Sequence, residues 1–217
     1  RVVCMKKVVL MVKKALALAV LPLALVLPAF FAPVFASEMP EEAASTNAGG
    51  PSVSAQCAAV IHMDTGEVLF VKNGEERRAM ASTTKIMTAL LTLEEAAIEN
   101  REVEITREMV LVEGSSMGLR EGDRLTLRDL AVGMLTVSGN DAANSAAIAI
   151  SGSREAFVER MNQRAQELGL ENTHFETPSG LDGETHYSTA LDMAKLAAAA
   201  MQNPDFAAIA GSKTAKV

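Results

Sequence analysis

Met80-Ala81-Ser82-Thr83-Thr84-Lys85-Ile86-Met87-Thr88-Ala89-Leu90-Leu91 opens on small and hydroxyl residues and runs into an apolar, helix-compatible segment. Ser82 and Lys85 stand three positions apart, which on a helix puts them on one face, one turn apart. A serine hydroxyl is a poor nucleophile until a neighbouring base takes its proton. Lys85 can be that base only after losing its own proton. That needs its ordinary pKa of about 10.4 to fall by about 3 units, or about 4 kcal/mol. Burial or a second nearby cation supplies such a drop. A plainer reading stays open on this stretch alone: S-x-x-K arises by chance, and a hydroxyl ahead of a helix is commonly an N-cap.

The first 36 residues belong to a different physical class. They carry Arg1, Lys6, Lys7, Lys13 and Lys14 and no acidic residue, and Ala15 to Ala36 is uncharged and apolar. Small residues flank the end of the run at Val34-Phe35-Ala36. This pattern predicts a secretory signal peptide over residues 1–36, with an uncleaved membrane anchor as the alternative. Pro22 and Pro28 disfavour a regular spanning helix. In both cases the basic flank stays in the cytoplasm and the remainder is expected to be extracytoplasmic, secreted or on the outer face of the cytoplasmic membrane. The chain begins at Arg1, so its natural start is expected at Met5, at Met11 or upstream.

Without the leader, 15 of the 20 basic residues remain against all 27 acidic ones, a formal net charge of −12. That disfavours nucleic acid or an anionic lipid surface as partner. Cys4 lies in the leader, so Cys57 is left alone and no internal disulfide forms in the mature chain.

Residues 37–55 mix Pro, Gly, Ser, Ala and Glu and read as a flexible linker. Gln56 to Met63 and Glu67 to Lys72, either side of Asp64-Thr65-Gly66, read as a β-hairpin. A helix follows from about Ser82 to Ala97. Arg101 to Val112 is ambiguous, and residues 113–118 form a loop. Thr126-Leu127-Arg128-Asp129 has a capping-box pattern, opening a helix to about Val137. Ala142 to Ile150 predicts a buried helix stopped by Gly152. Ser153 caps an amphipathic helix through Leu168. Thr173 to Tyr187 reads as a long loop, and Thr189 opens a last long helix to about Gln202. Helices packed on an antiparallel sheet, an α+β class, follow from this order.

Ser138-Gly139-Asn140 falls between two of these helices. Taken alone it is a helix C-cap turn, for which Gly and Asn are the usual residues. Set opposite Ser82, its hydroxyl and carboxamide allow another role: Ser138 relaying a proton to a leaving amine, and Asn140 holding a peptide carbonyl.

S-x-x-K followed by S-x-N and then K-T-G is the signature of penicillin-binding proteins and class A β-lactamases. Residues 81–88, Gly114-Ser115-Ser116-Met117, Val137 to Ala143, Gly180-Leu181-Asp182 and Tyr187-Ser188-Thr189 more narrowly resemble the serine D-alanyl-D-alanine carboxypeptidases. These low-molecular-mass penicillin-binding proteins form peptidase family S11. The resemblance runs from about Ala55 to Val217, and it implies a β-lactamase/transpeptidase-like fold with an all-helical subdomain. It implies that Ser82 attacks the carbonyl between the two terminal D-alanines of a peptidoglycan stem peptide. Lys85 would accept the proton, Ser138 would relay one to the leaving D-alanine, and Asn140 would bind substrate. The Ser82 N–H would form half of an oxyanion hole. It implies no metal and no organic cofactor, and β-lactams as acylating mimics of the substrate.

The chain departs from the family pattern in two places. Lys213-Thr214-Ala215 resembles a stretch that precedes the K-T-G strand in relatives, so the true element is expected further on. Residues 56–217 are then an incomplete catalytic domain, lacking the last sheet strands, the trailing β-domain and the C-terminal membrane-binding helix, and inactive alone. Membrane association would come through the leader or that missing anchor. Relatives also often carry His before Gly-Leu-Asp, where this chain has Pro178-Ser179-Gly180.

Other signals are weaker. His62, His174 and His186 lack metal-ligand spacing. Glu167-Leu168-Gly169-Leu170-Glu171 approaches the E-x-x-L-N element of class A β-lactamases but ends on the wrong residue. Two alternatives stay open: a class A-like β-lactamase, and a non-catalytic protein of the same fold that binds cell-wall peptides.

Overall fold

A computed structural model describes residues 50–181, 183–212 and 214. The leader, most of the linker, Cys4, Asp182 and most of the Lys213 to Lys216 stretch lie outside the described residues. Among those described, no helix is long and apolar enough to cross a membrane.

The hairpin forms as its alternation predicts. Strand β1 (Ala58–Ile61) pairs antiparallel with β2 (Val68–Lys72), with an irregularity between Val60 and Ile61. The turn closes through the His62 N–H on the Glu67 carbonyl and the Gly66 N–H on the His62 carbonyl, each at 2.8 Å.

A 3-10 turn over Ala81–Thr84 leads into α1 (Lys85–Ile98). The ambiguous stretch after it resolves into β3 (Glu102–Glu104) and the short α2 (Arg107–Val110). β3 pairs antiparallel with β4 (Arg124–Thr126), making a second two-stranded sheet. Three residues a side are too few for alternation to show in sequence. Four helices follow: α3 (Leu127–Val137), α4 (Asn140–Ser151), α5 (Arg154–Glu167) and α6 (Ala190–Met201). The seven-residue α7 (Pro204–Ala210) is capped by Asn203.

The capping signals hold atom by atom. Thr126, Ser153 and Thr189 each accept a hydrogen bond from the N–H three residues on, at Asp129, Ala156 and Asp192. Each such cap stabilises its helix by about 1 kcal/mol.

Helix α1 is the central element, in contact with α3, α4, α5, α6 and α7, while α6 also lies against β1. Met87, Leu93, Leu127, Leu130, Phe157, Met161, Phe175 and Leu196 form the fully buried core around it. The expected arrangement of helices on an antiparallel sheet is present, with its hairpin on α6 and its helical body around α1. Burying α1 on most sides fixes the height and rotation of its first residue, Lys85, and of the 3-10 turn before it that carries Ser82.

Candidate active site

Ala81 occupies the left-handed region at φ 46°, a conformation that costs a non-glycine residue on the order of 1–2 kcal/mol. This turn brings the chain into α1 so that Ser82 is exposed while Lys85, at 2% exposure, is buried beneath it. Lys85 Nζ lies 3.1 Å from Ser82 Oγ and donates to the Ser179 carbonyl at 2.6 Å. Burial lowers the Lys85 pKa from 10.5 to about 8. Desolvation does this because an ammonium loses its hydration when the core closes round it. The i, i+3 relation expected from the sequence is therefore present, made by a 3-10 turn rather than by regular α-helix.

Ser179 is carried by the long loop after α5, which is tied to the helices at several points. Thr88 Oγ1 of α1 donates to the Pro178 carbonyl at 2.7 Å. Asn162 of α5 clamps Phe175, donating to its carbonyl at 2.9 Å and accepting from its N–H at 2.8 Å. His186 Nδ1 accepts the Glu176 N–H at 2.9 Å, so it is Nε2 that carries the ring proton and faces Thr84 Oγ1 at 2.8 Å. Gly180, at φ 84°, comes so near the α1 entry that a Cβ there would sit 1.9 Å from the Ala81 carbonyl oxygen. The Pro178-Ser179-Gly180 segment thus contributes a backbone carbonyl to Lys85 and a close approach to Ala81, neither of which needs a particular side chain at position 179.

The opposite wall comes from α4 and the loop before it. Asn140 opens α4 and is 4% exposed. Its backbone N–H donates to the Ser115 carbonyl at 2.7 Å and its Nδ2 to the Glu113 carbonyl at 2.6 Å. An amide nitrogen has two hydrogens, so one donor remains. Ser82, Asn140, Gly114, Ser115 and the Ser179–Leu181 segment line one cavity of about 250 Å³. Among the described residues, no carboxylate lines it.

Ser138 is the C-cap of α3, left-handed at φ 58° and half-buried. The C-cap reading of this turn is therefore correct, and Asn140 begins the next helix at the same time. Ser138 does not line the cavity, and among the described residues no hydrogen bond joins it to Ser82 or Lys85.

Asp141 is a positioning residue that sequence reasoning passed over. Buried to 2% exposure, it accepts from Ser116 Oγ at 2.6 Å and from the N–H groups of Met117, Gly118 and Leu119 at 3.0, 3.1 and 3.0 Å. Burial pushes its pKa up, but these hydrogen bonds and one from the Ala142 N–H outweigh it and hold the carboxyl below its ordinary value. Asp141 therefore folds residues 116–119 around itself and steadies the wall that carries Ser115. Its place directly after S-x-N was the available signal.

Comparison with known proteins places this geometry. A family model described as D-alanyl-D-alanine carboxypeptidase, peptidase S11, matches residues 43–217. The chain belongs to that family.

Within peptidase S11 it is 44% identical over 149 residues to the D-alanyl-D-alanine carboxypeptidase DacF of Bacillus subtilis, covering 66% of this chain and 38% of the relative. It is 36% identical over 167 residues to DacD of Escherichia coli, covering 72% and 43%. The chain thus spans about two-fifths of the length of these curated relatives. Among solved structures, penicillin binding protein 6B from E. coli superposes with a TM-score of 0.73 at 34% identity, over 78% of this chain and 57% of that one. A D-alanyl-D-alanine carboxypeptidase from Mycobacterium tuberculosis H37Rv gives 0.72 at 38% identity, over 76% and 62%. The β-lactamase/transpeptidase-like fold expected from the motifs is the fold of these neighbours.

Proposed function

We propose that this chain supplies the nucleophile, its base and one cleft wall of an exported serine-type D-Ala-D-Ala carboxypeptidase. The observation that carries the reading is Lys85 Nζ, buried, 3.1 Å from an exposed Ser82 Oγ. With its pKa lowered to about 8, Lys85 is neutral in an appreciable fraction of molecules near neutral pH. The neutral amine takes the Ser82 proton as Oγ bonds to the carbonyl carbon between the two terminal D-alanines. The Ser82 N–H, in the first turn of a helix, has no helical partner and faces the developing oxyanion. The remaining Asn140 N–H donates to a carbonyl of the bound peptide. The C–N bond breaks, and D-alanine leaves with the proton that Lys85 took from Ser82. Water then hydrolyses the ester and frees Ser82.

Peptidoglycan stem peptides are the substrate in this reading, and β-lactams acylate Ser82 by presenting the same acyl geometry. Glu167-Leu168-Gly169-Leu170-Glu171 ends on Glu where the water-positioning element of class A β-lactamases has Asn, which favours a slowly resolved acyl-enzyme over β-lactamase turnover. The apolar leader supports an extracytoplasmic location, with membrane association through it or through a C-terminal anchor.

Intact-mass analysis of the full-length protein after penicillin treatment tests the assignment. One stoichiometric adduct is expected, mapping to Ser82 and lost in Ser82→Ala, together with release of D-alanine from an acyl-D-Ala-D-Ala peptide. An adduct on another residue, or one that survives Ser82→Ala, would overturn the nucleophile assignment.

A further inference from the structure

Thr88 fixes Pro178, Asn162 fixes Phe175 and His186 fixes Glu176, and of these three loop anchors only His186 carries a titratable group. Its ring is 3% exposed, with Phe175 edge-on at 6.0 Å between centroids. The two ends of the loop close beside it, where the backbones of His174 and Tyr187 exchange hydrogen bonds at 2.9 and 3.1 Å.

Both ring nitrogens are engaged in the neutral form. Nδ1 accepts the Glu176 N–H, and the Nε2–H donates to Thr84 Oγ1. Thr84 closes the 3-10 turn that carries Ser82 and directly precedes Lys85. Glu176 stands three residues before Ser179, whose carbonyl receives Lys85 Nζ. Past Glu176 the segment bonds to itself. Thr177 Oγ1 accepts the Gly180 N–H at 3.0 Å and donates to the Leu181 carbonyl at 3.2 Å. The turn that holds Ser179 is therefore placed by its anchors at Glu176 and Pro178.

Protonation turns Nδ1 from an acceptor into a donor, so two N–H groups face each other where a 2.9 Å bond stood. With the ring buried, water does not fill the gap, and ring or loop must move. The titratable groups on the surrounding elements are Lys85 at the α1 entry, His174 and Glu176 in the loop, and Glu184 in the turn of His186 itself. Hydrogen bonds from Thr185 and the charges of His174 and His186 hold the Glu176 carboxyl below its ordinary value, so it is ionised where an imidazole titrates. Its charge offsets part of the cost of a buried imidazolium, but it does not replace the acceptor that the Glu176 N–H loses.

We infer that His186 is a positioning residue for the acylation of Ser82: its neutral ring keeps the Ser179 carbonyl on Lys85, and its protonation releases that carbonyl and stops the reaction in acid. The inference rests on the proposed carboxypeptidase reading, since it takes Lys85 as the base.

The test is the second-order rate of Ser82 acylation by penicillin in the full-length protein, from about pH 5 to about pH 8. Deprotonation of Lys85 alone makes the rate fall about tenfold per pH unit below its pKa of about 8. In the wild type a second ionisation steepens this to about a hundredfold per unit in the acid part of the range. His186→Asn keeps an acceptor near the Nδ1 position, and His186→Gln keeps a donor near the Nε2 position. Neither titrates, so both variants fall about tenfold per unit throughout. Thr84→Val takes the acceptor from the Nε2–H. That costs the imidazolium more than the neutral ring, so the steep limb moves to lower pH. The slope is read within each variant, so a uniform loss of activity leaves it unchanged, and a merely structural His186 would lower the rate equally at every pH. Should neither His186 variant fold, the displacement of the limb in Thr84→Val decides. A wild type without a steep limb, a limb that persists in both His186 variants, or one that stays in place in Thr84→Val overturns the inference and leaves the carboxypeptidase reading intact. No acylation at any pH sinks that reading, and this inference with it.

Discussion

Lys85 Nζ is 2.6 Å from the Ser179 carbonyl oxygen and 3.1 Å from Ser82 Oγ. The shorter contact orients the amine. A neutral amine has two hydrogens and one lone pair, so giving a hydrogen to Ser179 restricts where the lone pair points and leaves Ser82 Oγ–H as the group it meets. A loop residue 94 positions away therefore sets the direction of proton transfer within one helical turn.

The first prediction is a pH profile. Burial lowers the Lys85 pKa from 10.5 to about 8, so the base form grows as pH rises through about 8, and the acylation rate of Ser82 rises with it. Lys85→Arg keeps a cation that does not deprotonate, and acylation by penicillin falls by at least about 100-fold. Stability responds in the same direction. Between pH 8 and 10.5 the unfolded chain binds the Lys85 proton and the folded chain does not, so this group makes the protein more stable as pH rises across that window. An acylation rate that is flat from pH 6 to 9 would remove Lys85 from the base role.

The local part of this site was legible in the sequence, and the reason is geometric. An i, i+3 pair on a helix needs only the chain itself, as do the caps at Thr126, Ser153 and Thr189 and the β1–β2 hairpin with its two-residue period. What was hidden depends on long-range approach. Ser179 enters the site through a backbone carbonyl, which no side-chain pattern reports. The left-handed Ala81 has no side-chain signature, in contrast to Gly180, whose glycine is required by φ 84° and by the Ala81 carbonyl. The β3–β4 pair is three residues long and set among charges. Asp141 was within a recognised motif, yet its role becomes visible only when residues 116–119 are seen folded around it.

The second prediction concerns the Gly180 approach. A Cβ at this position would lie 1.9 Å from the Ala81 carbonyl oxygen and 2.8 Å from Thr84 Oγ1. Gly180→Ala must therefore push the loop and the α1 entry apart, moving Ser179 off Lys85 and Ser82 off its place. Displacing a reacting group by about 1 Å costs about 100-fold in rate, so penicillin acylation is expected to slow by that order. The paired control is Gly152→Ala, where the same Cβ meets nothing within 4 Å. It carries the same positive-φ strain without the clash. Equal loss of acylation in both variants would mean that strain alone, and not the approach to Ala81, is responsible.

The third prediction concerns Asp141. In Asp141→Asn the carboxamide presents an NH₂ to N–H groups that now find an oxygen, and a buried, hydrogen-bonded charge is lost. Destabilisation of about 3 kcal/mol is expected in denaturant unfolding. The pH dependence has a definite sign. The carboxyl is held below its ordinary 3.8, so its stabilising contribution is present above 3.8 and is lost as pH falls through the depressed value. Wild-type melting temperature should therefore drop more steeply below pH 3.8 than that of Asp141→Asn. Parallel acid limbs for the two proteins would show that the carboxylate is not held as described.

The last prediction separates the loop anchor from the chemistry. Thr88 lies one turn beyond Lys85 on α1, fully buried, and its Oγ1 donates to the Pro178 carbonyl at 2.7 Å. Thr88→Val preserves shape but leaves that carbonyl without its donor in a site closed to water. The cost is about 1–3 kcal/mol, the desolvation penalty of an unsatisfied buried acceptor. Because Pro178 directly precedes Ser179, the loosened carbonyl should also weaken the hold on Lys85, so stability and acylation fall together. Thr92 gives the contrast. It is equally buried and one turn further on, but its Oγ1 donates to the Thr88 carbonyl within α1 at 2.7 Å. Thr92→Val removes a bond made inside the helix, so acylation is expected to stay within about threefold of wild type, a difference of less than 1 kcal/mol. Chemical denaturation and the acylation rate, measured side by side on the two variants, check this. Loss of acylation at Thr92 as large as at Thr88 would show that α1 rigidity, rather than the Pro178 anchor, governs the Lys85–Ser82 pair.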